Sequence, residues 1–116
     1  MFSFFKKQKK ALLEPKKDPF PTQDDLKNLT IIDIRDEEDI EYYGKYPNSI
    51  LISFDEYFGS KLLMLDKTKK YGIMDLKGDK AKEATLIAKE VGLDVKELKG
   101  GFFYISEVLN IKPIKD

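Results

Sequence analysis

The sequence predicts an α/β fold, a three-layer sandwich in which a central, mostly parallel sheet is flanked by helices. Apolar, β-branched runs at 29–35, 50–53 and 70–74 alternate with stretches of helical character. Strands separated by helices join as parallel βαβ units. The clearest helix, 79–91, places Ala81, Ala84, Ala88 and Val91 at steps of three and four, so that it can lie close on a sheet. In such folds the ligand site lies beyond the carboxyl ends of the strands.

The first half of the chain carries the signals of two short helices and two strands. Thr22 and the acidic Asp25 predict the start of a helix at Gln23–Asn28. Leu29–Arg35 reads as a buried strand. Asp36 and Asp39 open a second helix that ends near Gly44, and the next apolar run, Ile50–Ser53, predicts a second strand.

The second half repeats the alternation. Ser53 and Glu56 match a capping box, which predicts a helix that carries Tyr57 and Phe58 and breaks at Gly59. A third strand is predicted at Lys70–Met74 and a fourth at Asp94–Leu98. The long helix, 79–91, ends at Gly92, and a final helix, Phe102–Leu109, follows the Gly100-Gly101 turn.

Composition limits the chemistry. The 116 residues suffice for one domain with a single core. Lys+Arg and Asp+Glu both total 21, and this balance argues against nucleic acid as a partner. The absence of cysteine and histidine excludes disulfides, the common zinc sites and every Cys/His catalytic pair. We therefore expect no cofactor and no resident metal, with a carboxylate site for Mg²⁺ as the alternative.

The predicted organisation is an N-terminal tail at 1–21, a domain at 22–112 and a C-terminal tail at 113–116. No run approaches the roughly 20 apolar residues that span a bilayer. Residues 1–10 place three phenylalanines before four lysines, the reverse of a signal peptide, so we expect a cytoplasmic protein. These ten residues also allow a weak membrane-surface contact, in which the phenylalanines insert and the lysines meet anionic lipid.

The loop at 75–80 is the candidate site. A loop between a buried strand and a helix directs backbone N–H groups and the positive end of the helix into one small cavity. Such a cavity binds an anion or holds a nucleophile of low pKa. Its first position here is Asp75, and we expect that carboxylate to fill the cavity itself by accepting the loop N–H groups.

Three segments, in this order, resemble the rhodanese-like family over about 25–112. Ile31–Arg35 and the acidic residues after it are similar to the family's "IDVR" strand. Gly44–Ile50 is similar to "GHIPGAI". The loop and its helix resemble the family's Cys-x-x-Gly-x-Arg segment, and a later Gly-Gly pair again precedes the last helix.

The departures from the family pattern fall on the chemistry. Asp75 stands where the family carries its persulfide-forming cysteine, Lys80 replaces the loop arginine, and Lys45 replaces the histidine of "GHI". The resemblance therefore makes these residues equivalents of the active-site loop without a catalytic residue: Asp75, Leu76, Lys77, Gly78, Asp79 and Lys80.

Three further residues are candidates for binding: Asp33, Arg35 and Lys45. The alternative for the first two is structural. In that interpretation Asp33 accepts loop amides and Arg35 pairs with a nearby acid such as Asp39.

The resemblance implies a catalytically inactive rhodanese-like domain that serves as a protein-binding or regulatory module with an unknown partner. A carboxylate is not a polarisable nucleophile and does not carry a second sulfur, so we expect no sulfurtransferase activity. One alternative is a divergent phosphatase or hydrolase, in which Asp75 is the nucleophile or a metal ligand and Lys77 or Lys80 holds the phosphate. Another is a peripheral membrane adaptor that binds through the Phe/Lys-rich N-terminus.

Overall fold

A computed structural model of the chain describes residues 19–115 and contains one sheet of four parallel strands. The strands are β1 (Thr30–Asp33), β2 (Ile50–Leu51), β3 (Lys70–Met74) and β4 (Asp94–Glu97), and their order across the sheet is β2-β1-β3-β4. The predicted fold class is thereby confirmed.

The register brings the ends of the two central strands together. Asp33, the last residue of β1, lies opposite Met74, the last residue of β3. The neighbouring pairs Ile32–Ile73 on one side and Ile32–Ile50 on the other place apolar residues in the middle of the sheet. The polar residues that follow β1 and β3, including Arg35 and Asp75, consequently lie together at the carboxyl end of these strands.

Within residues 19–115, five helices surround the sheet: α1 (Gln23–Lys27), α2 (Glu37–Tyr43), α3 (Phe58–Leu62), α4 (Ala81–Glu90) and α5 (Gly101–Phe103). The last continues without a break into a π-helical stretch, Tyr104–Val108. There the Leu109 N–H donates to the Tyr104 carbonyl, five residues earlier, at 3.0 Å. The final helix predicted from the sequence is present, but half of it is wound more loosely than an α-helix.

Each face of the sheet has its own core. On one face, Ile32 and Ile73 pack with the buried alanines of α4, Ala81, Ala84 and Ala88, as the alanine spacing predicts. On the other face, the buried cluster draws on the segment after α2, the strand ends and the last helix: Tyr46, Met74, Leu98, Phe102 and Ile105. Successive residues of β3 alternate between these cores, which is why one short strand can support both layers.

The predicted capping box at Ser53 is wrong. The helix begins at Phe58 and contains Gly59 instead of breaking there. The side chain that organises the turn is Asp55, whose Oδ1 accepts the N–H of Tyr57 at 2.9 Å. A carboxylate bonding two residues onward forms an Asx-turn, and this turn competes with a helix start at Ser53.

Packed contacts extend beyond 22–112 at both ends. Pro21 is fully buried, and the Phe20 ring lies 4.7 Å from that of Tyr104. Ile114 forms an antiparallel bridge with Lys45, with backbone N–O distances of 2.8 and 3.0 Å. Residues 1–18, and with them the predicted membrane contact of 1–10, lie outside the described residues. Within 19–115, no helix has the length and apolarity to cross a membrane.

Candidate functional site at the carboxyl edge of the sheet

The loop from 75 to 80 folds around the side chain of Asp75. The Asp75 side chain is buried, and both of its oxygens accept backbone N–H groups. Oδ1 accepts from Gly78 at 2.5 Å, and Oδ2 accepts from Lys80 at 2.6 Å and from Ala81 at 2.9 Å. The carboxylate therefore lies inside the cavity that the loop amides form, as its position in the sequence predicts.

This arrangement also completes the start of α4. Lys80, at the N-cap position, makes no side-chain hydrogen bond to the helix. The first N–H groups of a helix have no partner within it, and the helix dipole favours negative charge there. Asp75, five residues before the cap, supplies both the acceptor and the charge through its bonds to Lys80 and Ala81. The carboxylate thus acts as the cap of α4.

The Gly100–Gly101 turn packs directly on the loop. A Cβ on Gly101 would lie 2.7 Å from both the carbonyl oxygen and Oδ1 of Asp75. The Phe102 N–H donates to that carbonyl at 2.8 Å, and the Phe103 N–H donates to the Leu76 carbonyl at 3.2 Å. Glycine is needed because α5 can form these bonds only if its backbone approaches the loop this closely.

Asp33 and Arg35 form a buried ion pair beneath the same edge. Arg35 Nη2 lies 2.8 Å from Asp33 Oδ2, and Arg35 Nε lies 3.0 Å from Oδ1. Nη2 also donates to the carbonyl of Gly44 at 2.9 Å. Arg35 thus pairs with Asp33 rather than with Asp39, and it ties the end of β1 to the end of α2.

The guanidinium of Arg35 also lies over an aromatic ring. Nη1 is buried and has no hydrogen-bond partner within 19–115, and the guanidinium carbon lies 4.3 Å from the centre of the Phe102 ring. An aromatic face attracts a cation at this distance and offsets part of the cost of burying it. No local sequence pattern indicates this contact, because Phe102 lies 67 residues away along the chain and is predicted only as core.

A shallow cleft of about 180 Å³ lies in front of the loop. Residues after β1 form one wall, and the loop forms the other: Ile34, Arg35, Asp36 and Asp39, then Asp75, Leu76, Lys77, Asp79 and Lys80. Carboxylates and lysines both line the cleft, so its charge is mixed.

Of the three predicted binding residues, only Arg35 reaches the cleft. Asp33 lies beneath it, and exposed Lys45 pairs through its backbone with Ile114.

The geometry restricts what Asp75 can do. Asp75 is buried and its two oxygens accept three N–H groups, one on Oδ1 and two on Oδ2. Attack on a phosphorus atom would therefore have to use the single acceptor position left on Oδ1 or break one of these bonds. Between residues 19 and 115, no group of three or more acidic side chains is placed to hold a metal ion.

Tyr46 is a buried core residue close to the Asp33–Arg35 ion pair. Its hydroxyl donates to the carbonyl of Ile111 at 2.7 Å. Burial raises the pKa of Tyr46 to about 12; Arg35 partly opposes the rise, and Asp33 adds to it. The tyrosine is therefore a neutral hydrogen-bond donor at any physiological pH.

Comparisons with known proteins agree with this geometry. The family model of the Rhodanese-like domain matches residues 17–107. The chain belongs to the rhodanese-like domain family. Among curated proteins, no sequence matches the chain at a significant level.

Solved structures with the same fold include a rhodanese-related protein from Thermoplasma volcanium, at 22% identity and a TM-score of 0.63 over 75% of this chain and 81% of that one. A rhodanese-like domain protein from Staphylococcus aureus has 25% identity and a TM-score of 0.56, over 83% of this chain and 81% of that one. Reduced CoADR-RHD from Bacillus anthracis has 26% identity and a TM-score of 0.62, over 72% of this chain but only 15% of that longer one.

Proposed function

We propose that this rhodanese-like domain is a protein-binding or regulatory module without sulfurtransferase activity. The observation that supports the proposal is the position of Asp75, whose carboxylate lies in the amide cradle at the end of β3. In the resemblance drawn from the sequence, that is where a persulfide-carrying cysteine would stand. The loop amides that would hold an anion are present, whereas the chain has no cysteine to carry sulfur.

A carboxylate in this cradle opposes sulfur transfer in two ways. Thiosulfate is an anion, and the fixed negative charge of Asp75 repels it from the amides that would bind it. Asp75 also occupies the volume that an incoming anion or a persulfide would need. We assign contact with another protein to the exposed residues of the loop, including Lys77, Asp79 and Lys80.

The first test is the absence of sulfur transfer. We expect the purified protein, given thiosulfate and cyanide, to form no thiocyanate above the level of a heat-denatured sample. Thiocyanate production that scales with the amount of folded protein would contradict the proposal. Hydrolysis of a generic phosphate ester, measured in the same preparation and abolished in Asp75→Asn, would favour the phosphatase alternative instead.

An engineered cysteine tests whether the cradle itself is functional. In Asp75→Cys the loop amides and the helix dipole should lower the thiol pKa, because both stabilise a thiolate. The variant should react with iodoacetamide at neutral pH faster than the matched variant Asp79→Cys, whose thiol lies on the exposed side of the same loop. Equal rates would show that the loop does not activate an anion, and the inactive-rhodanese interpretation would lose its basis.

The binding role needs a test that depends on position. The protein has no cysteine, so Lys77→Cys provides one attachment site for a photoreactive group on the loop face, and Lys89→Cys provides a matched exposed site on α4. In extracts of the native cell, we expect a discrete crosslinked protein from Lys77→Cys and none from Lys89→Cys. The same adduct from both positions, or none from either, would count against a partner at the loop face.

A further inference from the structure

An apolar groove lies on the α1 side of the sheet, away from the loop. It has a volume of about 400 Å³, and its apolar lining comes from Leu26, Ile31, Tyr46, Pro47, Ile105 and Ile111. Lys27 is its one charged lining residue among those described. We call this feature the α1 groove.

The groove is fixed in place by structure on several sides. Gln23, on its rim, donates from Nε2 to the carbonyl of Leu109 at 2.7 Å and so clamps α1 to the end of the last helix. The Tyr46 hydroxyl bonds to the carbonyl of Ile111 at 2.7 Å and holds the opposite wall. A concave, largely preformed apolar surface of this size is typical of a binding site.

The chain itself enters the domain on this face of the sheet. Phe20 packs on Tyr104, which directly precedes the groove residue Ile105, and Pro21 is fully buried. Gln23 is only four residues after Pro19, where the described structure begins. By contrast, the exposed Leu63 and Met64 follow α3, whose buried residues belong to the core on the other face.

The preceding segment has the matching chemistry. Between residues 2 and 13 the sequence carries five large apolar side chains, Phe2, Phe4, Phe5, Leu12 and Leu13. Leu13 lies six residues before Pro19, a distance of at most about 20 Å in extended chain, so the leucines reach the groove without difficulty. Tethering also gives the segment an effective concentration on the order of millimolar at the groove, which suffices for a weak contact.

We propose that residues 2–13 of the same chain dock in the α1 groove through their apolar side chains, with the intervening lysines left in solvent. Among the described residues that line the groove there is no carboxylate to pair with these lysines, so the contact depends on apolar burial. This assignment gives the Phe/Lys-rich segment an occupied site on its own domain, as opposed to a position on a lipid surface. It is independent of the function proposed for the loop.

The test uses the full chain and its lack of cysteine. A nitroxide attached at Gln8→Cys, between the aromatic and the leucine runs, broadens the NMR signals of the groups that it approaches. We expect the strongest broadening at the methyl groups of Leu26, Ile105 and Ile111, and little at those of Leu63 and Met64. Broadening that is greatest around Phe20 and Tyr104, and decays evenly with distance from them, would describe an undocked tether and overturn the proposal.

Matched lysine substitutions separate docking from proximity. Ile111→Lys places a charge in the groove, whereas Val108→Lys places the same charge on an exposed residue of the same region outside it. Broadening at Leu26 and Ile105 should fall several-fold in Ile111→Lys and stay unchanged in Val108→Lys. Pro47→Lys, at an exposed lining position, makes the same comparison if Ile111→Lys does not fold. Unchanged broadening in the groove variant would sink the proposal.

Two other occupants have distinct outcomes. When spin-labelled chains are mixed with isotope-labelled chains that carry no nitroxide, broadening at the groove would assign it to a second copy. Co-sedimentation of the full chain with phosphatidylserine vesicles, unchanged in Ile111→Lys and lost when Phe2, Phe4 and Phe5 are replaced by serine, would assign the segment to a membrane. Either result would overturn docking within the chain.

Discussion

Asp75 shows how a single side chain can fill the anion cavity of its own loop. The loop presents three N–H groups whose need for a negative partner is independent of which residue supplies it. A carboxylate on the loop's own first residue meets that need permanently. In this chain the amide cradle is therefore a structural contact.

Removing that carboxylate should reopen the anion site. In Asp75→Ala, the N–H groups of Gly78, Lys80 and Ala81 lose their acceptor, which costs on the order of 1–3 kcal/mol or more of stability. Phosphate or sulfate should then bind and restore part of the loss. The measurement is the urea midpoint of unfolding in phosphate against chloride at equal ionic strength. Phosphate and sulfate stabilise folded proteins in general, so the midpoint should rise in every sample. The rise should be larger in Asp75→Ala than in the wild type or in the matched control Asp79→Ala, on the exposed side of the loop.

The buried phenol of Tyr46 predicts a loss of stability at high pH. Its pKa in the folded protein is about 12, above the value near 10 of an unfolded chain. The stabilisation from the neutral form is therefore complete below pH 10 and is lost as the pH rises from 10 to 12.

Tyr46→Phe isolates this effect from the other titrating groups. At pH 7 the variant should be less stable by about 0.5–1.5 kcal/mol, because it lacks the hydrogen bond to Ile111. The difference between the two proteins should narrow above pH 10, as followed by denaturant unfolding. A difference that stays constant from pH 7 to pH 12 would contradict burial as the cause of the raised pKa.

At the scale of elements, the loop and the last helix behave as one unit. The two backbone bonds from Phe102 and Phe103 to the carbonyls of Asp75 and Leu76 hold α5 on the loop, and the Phe102 ring reaches Arg35 behind it. The sequence predicted both elements, yet not their contact, since the Gly-Gly pair reads only as a turn. Whether a glycine allows close packing depends on which backbone segment lies opposite it, and the sequence does not show that segment.

Two glycines make this contact measurable. Gly92 and Gly101 both have positive φ, at 93° and 63°, so alanine at either position carries a similar backbone penalty of about 1–2 kcal/mol. Only Gly101→Ala adds a clash, with atoms of the loop at 2.7 and 2.8 Å, whereas a Cβ on Gly92 meets only the end of the Lys67 side chain. Gly101→Ala should therefore destabilise the protein by roughly 1–3 kcal/mol more than Gly92→Ala in thermal unfolding. Equal losses would mean that α5 moves away from the loop at little cost.

At the scale of the whole molecule, the sequence predicted well the features that depend on local pattern. Lys70–Met74 has the predicted bounds, and the alanines of α4 face the core that their spacing indicates. The misses concern competition between neighbours. Asp55 forms an Asx-turn where the sequence predicted a helix start at Ser53, and Arg35 forms its ion pair with Asp33 instead of Asp39. In both cases the partner that wins lies only two residues away. The backbone direction and burial of the competing groups decide the outcome, and a single sequence does not show them.

The sheet predicts a gradient of local stability. β1 and β3 are central and have partners on both sides, whereas β2 is a two-residue edge strand with Leu51 half exposed. In native-state hydrogen exchange, the amides of β1 and β3 should exchange only through global unfolding, and those of β2 should open at lower free energy. Protection in β2 equal to that in β3 would indicate that its outer edge is covered.

The way α4 is capped has a consequence for substitutions at position 75. A carboxylate offers two acceptor atoms, and Asp75 uses one for Gly78 and the other for the first turn of the helix. A thiolate has one acceptor atom and forms weaker hydrogen bonds. A cysteine at position 75 would therefore hold the start of α4 less well than the aspartate does. The residue at this loop position thus sets the stability of the helix as well as the charge of the cavity.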